Sequence, residues 1–137
     1  MIATADQELG SRKVKFLLDV PQQDGGQWDM VVALFEKYGV VPKVAYPESI
    51  SSSNSRELNQ YLNKLLRQDA QILREAIAAG ADEKAVQAKK EELLQEVFNF
   101  LAINLGLPPR TFDFAYRDKD NSYHSDKNIT PQELLQK

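Results

Sequence analysis

The sequence predicts a mainly α fold with a short β-hairpin, cut from something longer, and three observations carry that prediction. Two long apolar stripes recur at helical spacing between residues 54 and 106. A tract at 111–116 then alternates polar and aromatic residues, which is strand patterning. Finally, the chain reaches Lys137 just after opening a well-capped helix, an ending expected of a truncated piece.

From the N-terminus, residues 4–18 read as a helix. Thr4 or Asp6 is its candidate cap, and Leu9, Val14, Leu17 and Leu18 mark one apolar face. Gly10 weakens that reading, and Pro21 stops the helix. Gln22-Gln23-Asp24-Gly25-Gly26 is a turn signal. Trp28, Val31, Val32, Leu34 and Phe35 then recur at helical spacing, so residues 27–38 are expected to form a short buried helix closed by Gly39. The serine-rich stretch at 49–55 is a mobile connection or the way into the next helix.

The first long stripe comprises Leu58, Tyr61, Leu62, Leu65, Leu66, Leu73 and Ile77, with Asn54 and Glu57 spaced as a capping box. Gly80 ends it and Asp82 caps the next. Val86, Leu93, Leu94, Val97, Phe98, Leu101 and Leu105 make the second stripe, closed by Gly106 and Pro108. A break this short implies an antiparallel helical hairpin whose stripes pack on each other. Beyond it, residues 111–116 and 122–124 are expected to pair about a turn at Asp118-Lys119-Asp120-Asn121. Thr130-Pro131-Gln132-Glu133 is a helix start, with a cap, a proline and a returning glutamate.

Composition narrows the function classes. The 137 residues carry no cysteine and a net charge of −3, with 42% apolar and 27% charged residues. That is an ordinary soluble balance. It removes a cysteine nucleophile, a thiolate metal site and a disulfide framework, and it argues against nucleic acid as the main partner. No apolar run has membrane-spanning length.

No catalytic constellation is complete. His124, the sole histidine, sits in a polar hairpin and reads as a surface imidazole. The Asp118–Asn121 turn lacks the glycine and closing glutamate of a calcium loop, so no metal ligands are expected. Lys89-Lys90-Glu91-Glu92 reads as a solvated helix face. The one segment with a sharper reading is Gly25-Gly26-Gln27-Trp28. Two glycines let another backbone approach closely, and their peptide groups can pair with an extended peptide as an added strand does. Taken alone, a glycine pair is most often a turn into a helix.

Longer blocks change the weight of that segment. Asp24-Gly25-Gly26-Gln27-Trp28-Asp29-Met30, then Phe35 to Lys43, and Tyr46-Pro47-Glu48-Ser49 resemble the glycine-glycine helix of papain-like peptidases. Together with Gly106 to Phe112, Tyr116 to Asp120 and Thr130 to Glu133, they resemble the aminopeptidase C / bleomycin hydrolase family, in its bacterial form, over nearly the whole chain. The resemblance implies a papain-like α+β fold. Residues 1–53 would belong to its helical subdomain, 54–106 to a helical hairpin insertion, and 107–137 to a short C-terminal β-hairpin and the start of a helix. It implies a cofactor-free, cytoplasmic thiol aminopeptidase assembled as a homohexamer, acting on peptide substrates. Gly25 and Gly26 would line the substrate cleft, with Gln27 and Trp28 beside it.

The resemblance also implies what is missing. The family's cysteine, histidine and asparagine lie outside these blocks, and His124 does not match the catalytic histidine segment. The chain by itself is therefore expected to be inactive and to depend on the remainder of the peptidase chain. Trp28 and Phe35, with Phe112 and Phe114, are then expected to leave apolar surface uncovered. The alternative is a stand-alone helical interaction domain without catalysis.

Overall fold

The computed structural model describes residues 2–22 and 25–137. Gln23 and Asp24, in the middle of the expected turn, lie outside the described residues. The described elements are a 3-10 turn at Ile2–Thr4, helices α1 (Arg12–Asp19), α2 (Trp28–Tyr38), α3 (Ile50–Ser53), α4 (Arg56–Ala78) and α5 (Glu83–Leu105), strands β1 (Phe112–Arg117) and β2 (Tyr123–Ile129), and helix α6 (Pro131–Leu135). The chain packs as two units, residues 1–24 with 50–106 and residues 25–49 with 107–137.

The first unit is built on the α4–α5 hairpin. Leu73, Val86 and Leu93 form its core, flanked by Ile72, Ile77 and Ala81. Tyr61 stacks on Phe100 with centroids 4.9 Å apart. Early α4 thus meets late α5, and late α4 meets early α5, which is the antiparallel register expected. Each buried leucine contributes roughly 1.5–3 kcal/mol by leaving water. Asp82 caps α5, its carboxylate accepting from the Ala85 N–H at 2.7 Å, and Gly106 closes it at φ 80°.

The start of α4 corrects the expected Asn54–Glu57 box. Its cap is Ser55, already at φ −77° and ψ −2°. The serine-rich tract before it is itself a turn of helix, α3, with the Asn54 N–H on the Ile50 carbonyl at 3.1 Å. A chain arriving in helical conformation lacks the extended cap geometry that the box requires.

The expected helix over 4–18 is also corrected. It starts only at Arg12, capped by Ser11, whose hydroxyl accepts from the Val14 N–H at 3.4 Å. Neither Thr4 nor Asp6 is its cap, and Thr4 is buried. Side chains of α4 tie down both this segment and the C-terminal end of α1. Arg74 donates to the Thr4 carbonyl at 2.6 Å and to the Gln7 carbonyl. Arg67 donates to the Leu18 carbonyl at 2.6 Å and to the Asp19 carbonyl. Asn63 takes both backbone groups of Gln22, accepting at 2.8 Å and donating at 2.9 Å. These ties reach across the sequence, so local propensity does not anticipate them.

The second unit holds α2, the β1–β2 hairpin and α6. The strands are antiparallel, with Arg117 opposite Tyr123 and Phe114 opposite Asp126. A bulge lies between Phe112 and Phe114, where Asn128 adopts φ 55° and its N–H donates to Asp113 at 2.9 Å. The capping box of α6 forms as the sequence predicts. The Glu133 N–H donates to Thr130 Oγ1 at 3.2 Å, and the Thr130 N–H donates to Glu133 Oε2 at 2.7 Å.

Helix α2 leans on α6 mainly through backbone, with the Gln132 side-chain amide donating to the Lys37 carbonyl at 3.4 Å. The Val40 N–H donates to the Pro131 carbonyl at 3.0 Å. Gly39, at φ 77°, makes that approach possible, because a Cβ there would lie 2.2 Å from the Pro131 carbonyl carbon. The expectation that α2 is a buried helix is not met: it has no buried residue, and Trp28, Met30, Leu34, Phe35 and Tyr38 are all exposed. Trp28 and Phe35 thus show the uncovered surface predicted for a missing partner. Phe112 does not, being buried within the unit, while Phe114 stacks on Tyr116 at 5.5 Å.

Candidate functional site

The four residues singled out from the sequence are contiguous in space as well, at the N-terminus of α2. All four are exposed. Gly25 stands at φ 100°, a conformation that side chains with a Cβ rarely adopt. Gly26 needs no such φ. Gln27 is the extended N-cap, at φ −94° and ψ 161°, and its carbonyl accepts the Met30 N–H at 3.1 Å. Trp28 is the first helical residue, its indole 78% exposed, so it does not pack inward within this chain.

This arrangement can present backbone. A chain entering a helix through two glycines carries no side chain of its own there, and an extended segment can lie alongside. The exposed indole adds an apolar wall at one end. The sequence has no cysteine, and a thiol peptidase needs a thiolate with a base beside it.

The histidine has a partner that the sequence reading missed. His124 Nε2 lies 2.8 Å from Asp118 Oδ2, and the imidazole stacks on Tyr116 at 5.1 Å. His124 holds the Asp118 carboxyl below its ordinary range, helped by the Ser122 and Asp120 N–H groups. The six-residue spacing across a hairpin turn was the available signal. The pair closes a turn, with Asp118 Oδ1 accepting those two N–H groups at 2.9 Å each. Among the described residues, no cluster of three or more His, Cys, Asp or Glu is placed to hold a metal.

In the first unit, a cavity of about 580 Å³ is lined by Ala5, Leu9, Leu18, Arg67, Gln71 and Arg74. Its two arginines are the ones that donate to carbonyls of the N-terminal segment. They act there as structural ties. Asp69 is the buried polar group of α4, with Oδ1 unpaired among the described residues. Burial, and then Glu96 on α5, push its carboxyl up.

With this geometry in hand, comparison with known proteins places the chain. It belongs to the Peptidase C1-like family, whose model matches residues 1–137. It is 79% identical to aminopeptidase C of Streptococcus thermophilus across all of its length, which is 31% of that protein. It is 70% identical to aminopeptidase C of Lactococcus lactis subsp. lactis over 118 residues, 86% of this chain and 26% of that one. A crystal structure of PepW from Lactobacillus rhamnosis HN001 superposes with a TM-score of 0.94 at 54% identity, covering 99% of this chain and 30% of the other. The resemblance to aminopeptidase C and the mainly helical fold with one β-hairpin are therefore confirmed, and the chain spans about a third of the length of these relatives. No helix among the described residues is long and apolar enough to cross a membrane.

Proposed function

We propose that this chain is a non-catalytic region of a cysteine aminopeptidase that removes N-terminal residues from peptides. One observation carries the reading: relatives named aminopeptidase C match the chain end to end, yet it has no cysteine. In this reading the nucleophile and its base come from the remainder of the peptidase chain. Gly25 and Gly26 line the substrate cleft and pair with the substrate backbone, with Gln27 and Trp28 beside them. Their exposure and the positive φ of Gly25 support that role. Residues 54–106 are the helical insertion. The same reading makes the full-length protein a cytoplasmic homohexamer that needs no cofactor.

The test is aminopeptidase activity on a chromogenic aminoacyl substrate, with the 137-residue chain and the full-length protein side by side. A silent short chain and an active long one, blocked by a thiol reagent, support the reading. Cleavage by the short chain overturns it. A second reading, a helical interaction domain without catalysis, draws on the self-contained α4–α5 core. It gains if neither chain cleaves.

A further inference from the structure

The glycine strip has a supporting side chain that the family resemblance does not assign. Met30 is the third residue of α2, counted from the Gln27 cap. Its thioether reaches back along the helix end. The Gln27 N–H donates to Met30 Sδ at 3.5 Å. The same sulfur lies 3.2 Å from the point where a Cβ on Gly26 would stand. One atom therefore bonds Gln27 and stands where a side chain on Gly26 would go. In an ordinary capping box a glutamate or glutamine at this position returns to the cap N–H. Here methionine does so with a weaker acceptor and a bulkier, softer group.

The physical consequence follows from what glycine lacks. Two successive glycines have more backbone freedom than any other pair, and they lose more on being ordered. A strip that must hydrogen-bond an extended peptide needs its N–H and C=O groups held in one direction beforehand. Sequence neighbours with side chains do this by sterics; Gly25 and Gly26 have none. Met30 fills the space above Gly26 and takes the N–H that follows it. Its side chain is exposed, so that space is not set by the core.

We infer that Met30 is a positioning residue for the strip: by occupying the side-chain space of Gly26 and holding the Gln27 N–H, it fixes the direction in which Gly26 offers its backbone to a peptide. This rests on the proposed cleft role of the strip. It adds a residue that acts through the strip and need not touch the peptide.

The experiment uses the full-length protein with a chromogenic aminoacyl substrate, comparing wild type, Met30→Ala and Met30→Gln. Alanine removes both contacts. Glutamine restores a side-chain acceptor of similar reach. Met30→Ala is expected to raise KM by about two- to threefold, the low end for one hydrogen bond because sulfur is a weak acceptor, with kcat within about 1.5-fold and an unchanged thermal midpoint. Met30→Gln is expected to recover most of that loss. Three variants with the same KM overturn the inference and leave the cleft reading standing. A loss that tracks a fall in thermal midpoint also overturns it, since Met30 would then serve the fold. A wild type that does not cleave overturns the functional reading, and this inference with it.

Discussion

The two units of this chain solve the same problem with unequal means. Among the described residues, the α4–α5 unit holds six of the seven buried apolar ones, Val14, Leu62, Ala70, Leu73, Val86 and Leu93. Among the described residues of the other unit only Phe112 is a buried apolar one, while α2 leaves Trp28 and Phe35 open to solvent. Both carry apolar residues at helical spacing. The difference is that the hairpin's two stripes are joined by a short loop and cover each other, whereas the face of α2 has no such neighbour in sequence. A helix without a packed face draws little stability from propensity alone. In the proposed reading, the remainder of the peptidase chain covers α2.

Substitutions can separate the two cases. Leu73→Ala opens the hairpin core and should cost about 2–5 kcal/mol, read as a lower denaturant midpoint by far-ultraviolet circular dichroism. Phe35→Ala, an equally drastic cut on α2, should change the midpoint of this chain by less than about 0.5 kcal/mol, as for exposed sites. Gly39→Ala should be the most damaging change within the second unit. It forces a Cβ to 2.2 Å from the Pro131 backbone, so the α2–α6 contact must open. Loss of hydrogen-exchange protection at the Val40 amide, which donates to Pro131, reports that opening, while the hairpin signal stays in place.

How much of this was legible depends on how far the deciding contact reaches. The hairpin was read correctly because Leu73 and Leu93 sit on stripes whose partner is the next element. The Asp82 and Thr130–Glu133 caps were read because a cap is made within four residues. The first helix was misplaced because Arg74, many residues away, holds the segment before Arg12 in turns. The Asn54 box failed because α3 delivers the chain already helical. At the site, the glycine pair alone was only a turn signal, and the family resemblance gave it a role. Met30 went unread because methionine is not a usual capping residue. The His124–Asp118 pair needed the hairpin register to be known.

A smaller effect sharpens the picture of the hairpin. Asp69 is buried with one oxygen unpaired among the described residues, and its carboxyl is pushed up by burial and by Glu96. A raised folded-state pKa means that the folded form binds the proton more tightly than the unfolded one. The charged form therefore destabilises the fold at neutral pH, and this cost fades as pH falls through the raised value toward about 4. Asp69→Asn is accordingly expected to raise the thermal midpoint at pH 7, with the gain gone near pH 4. A gain of equal size at both pH values would show that charge is not the cause.

The most direct test of the contrast between the units is amide hydrogen exchange in the 137-residue chain and in the full-length protein. The account predicts that α4 and α5 are protected in both, whereas α2 exchanges fast in the short chain and slowly in the long one. Equal protection of α2 in the two would contradict it, because that helix would then need nothing beyond this chain to be held in place.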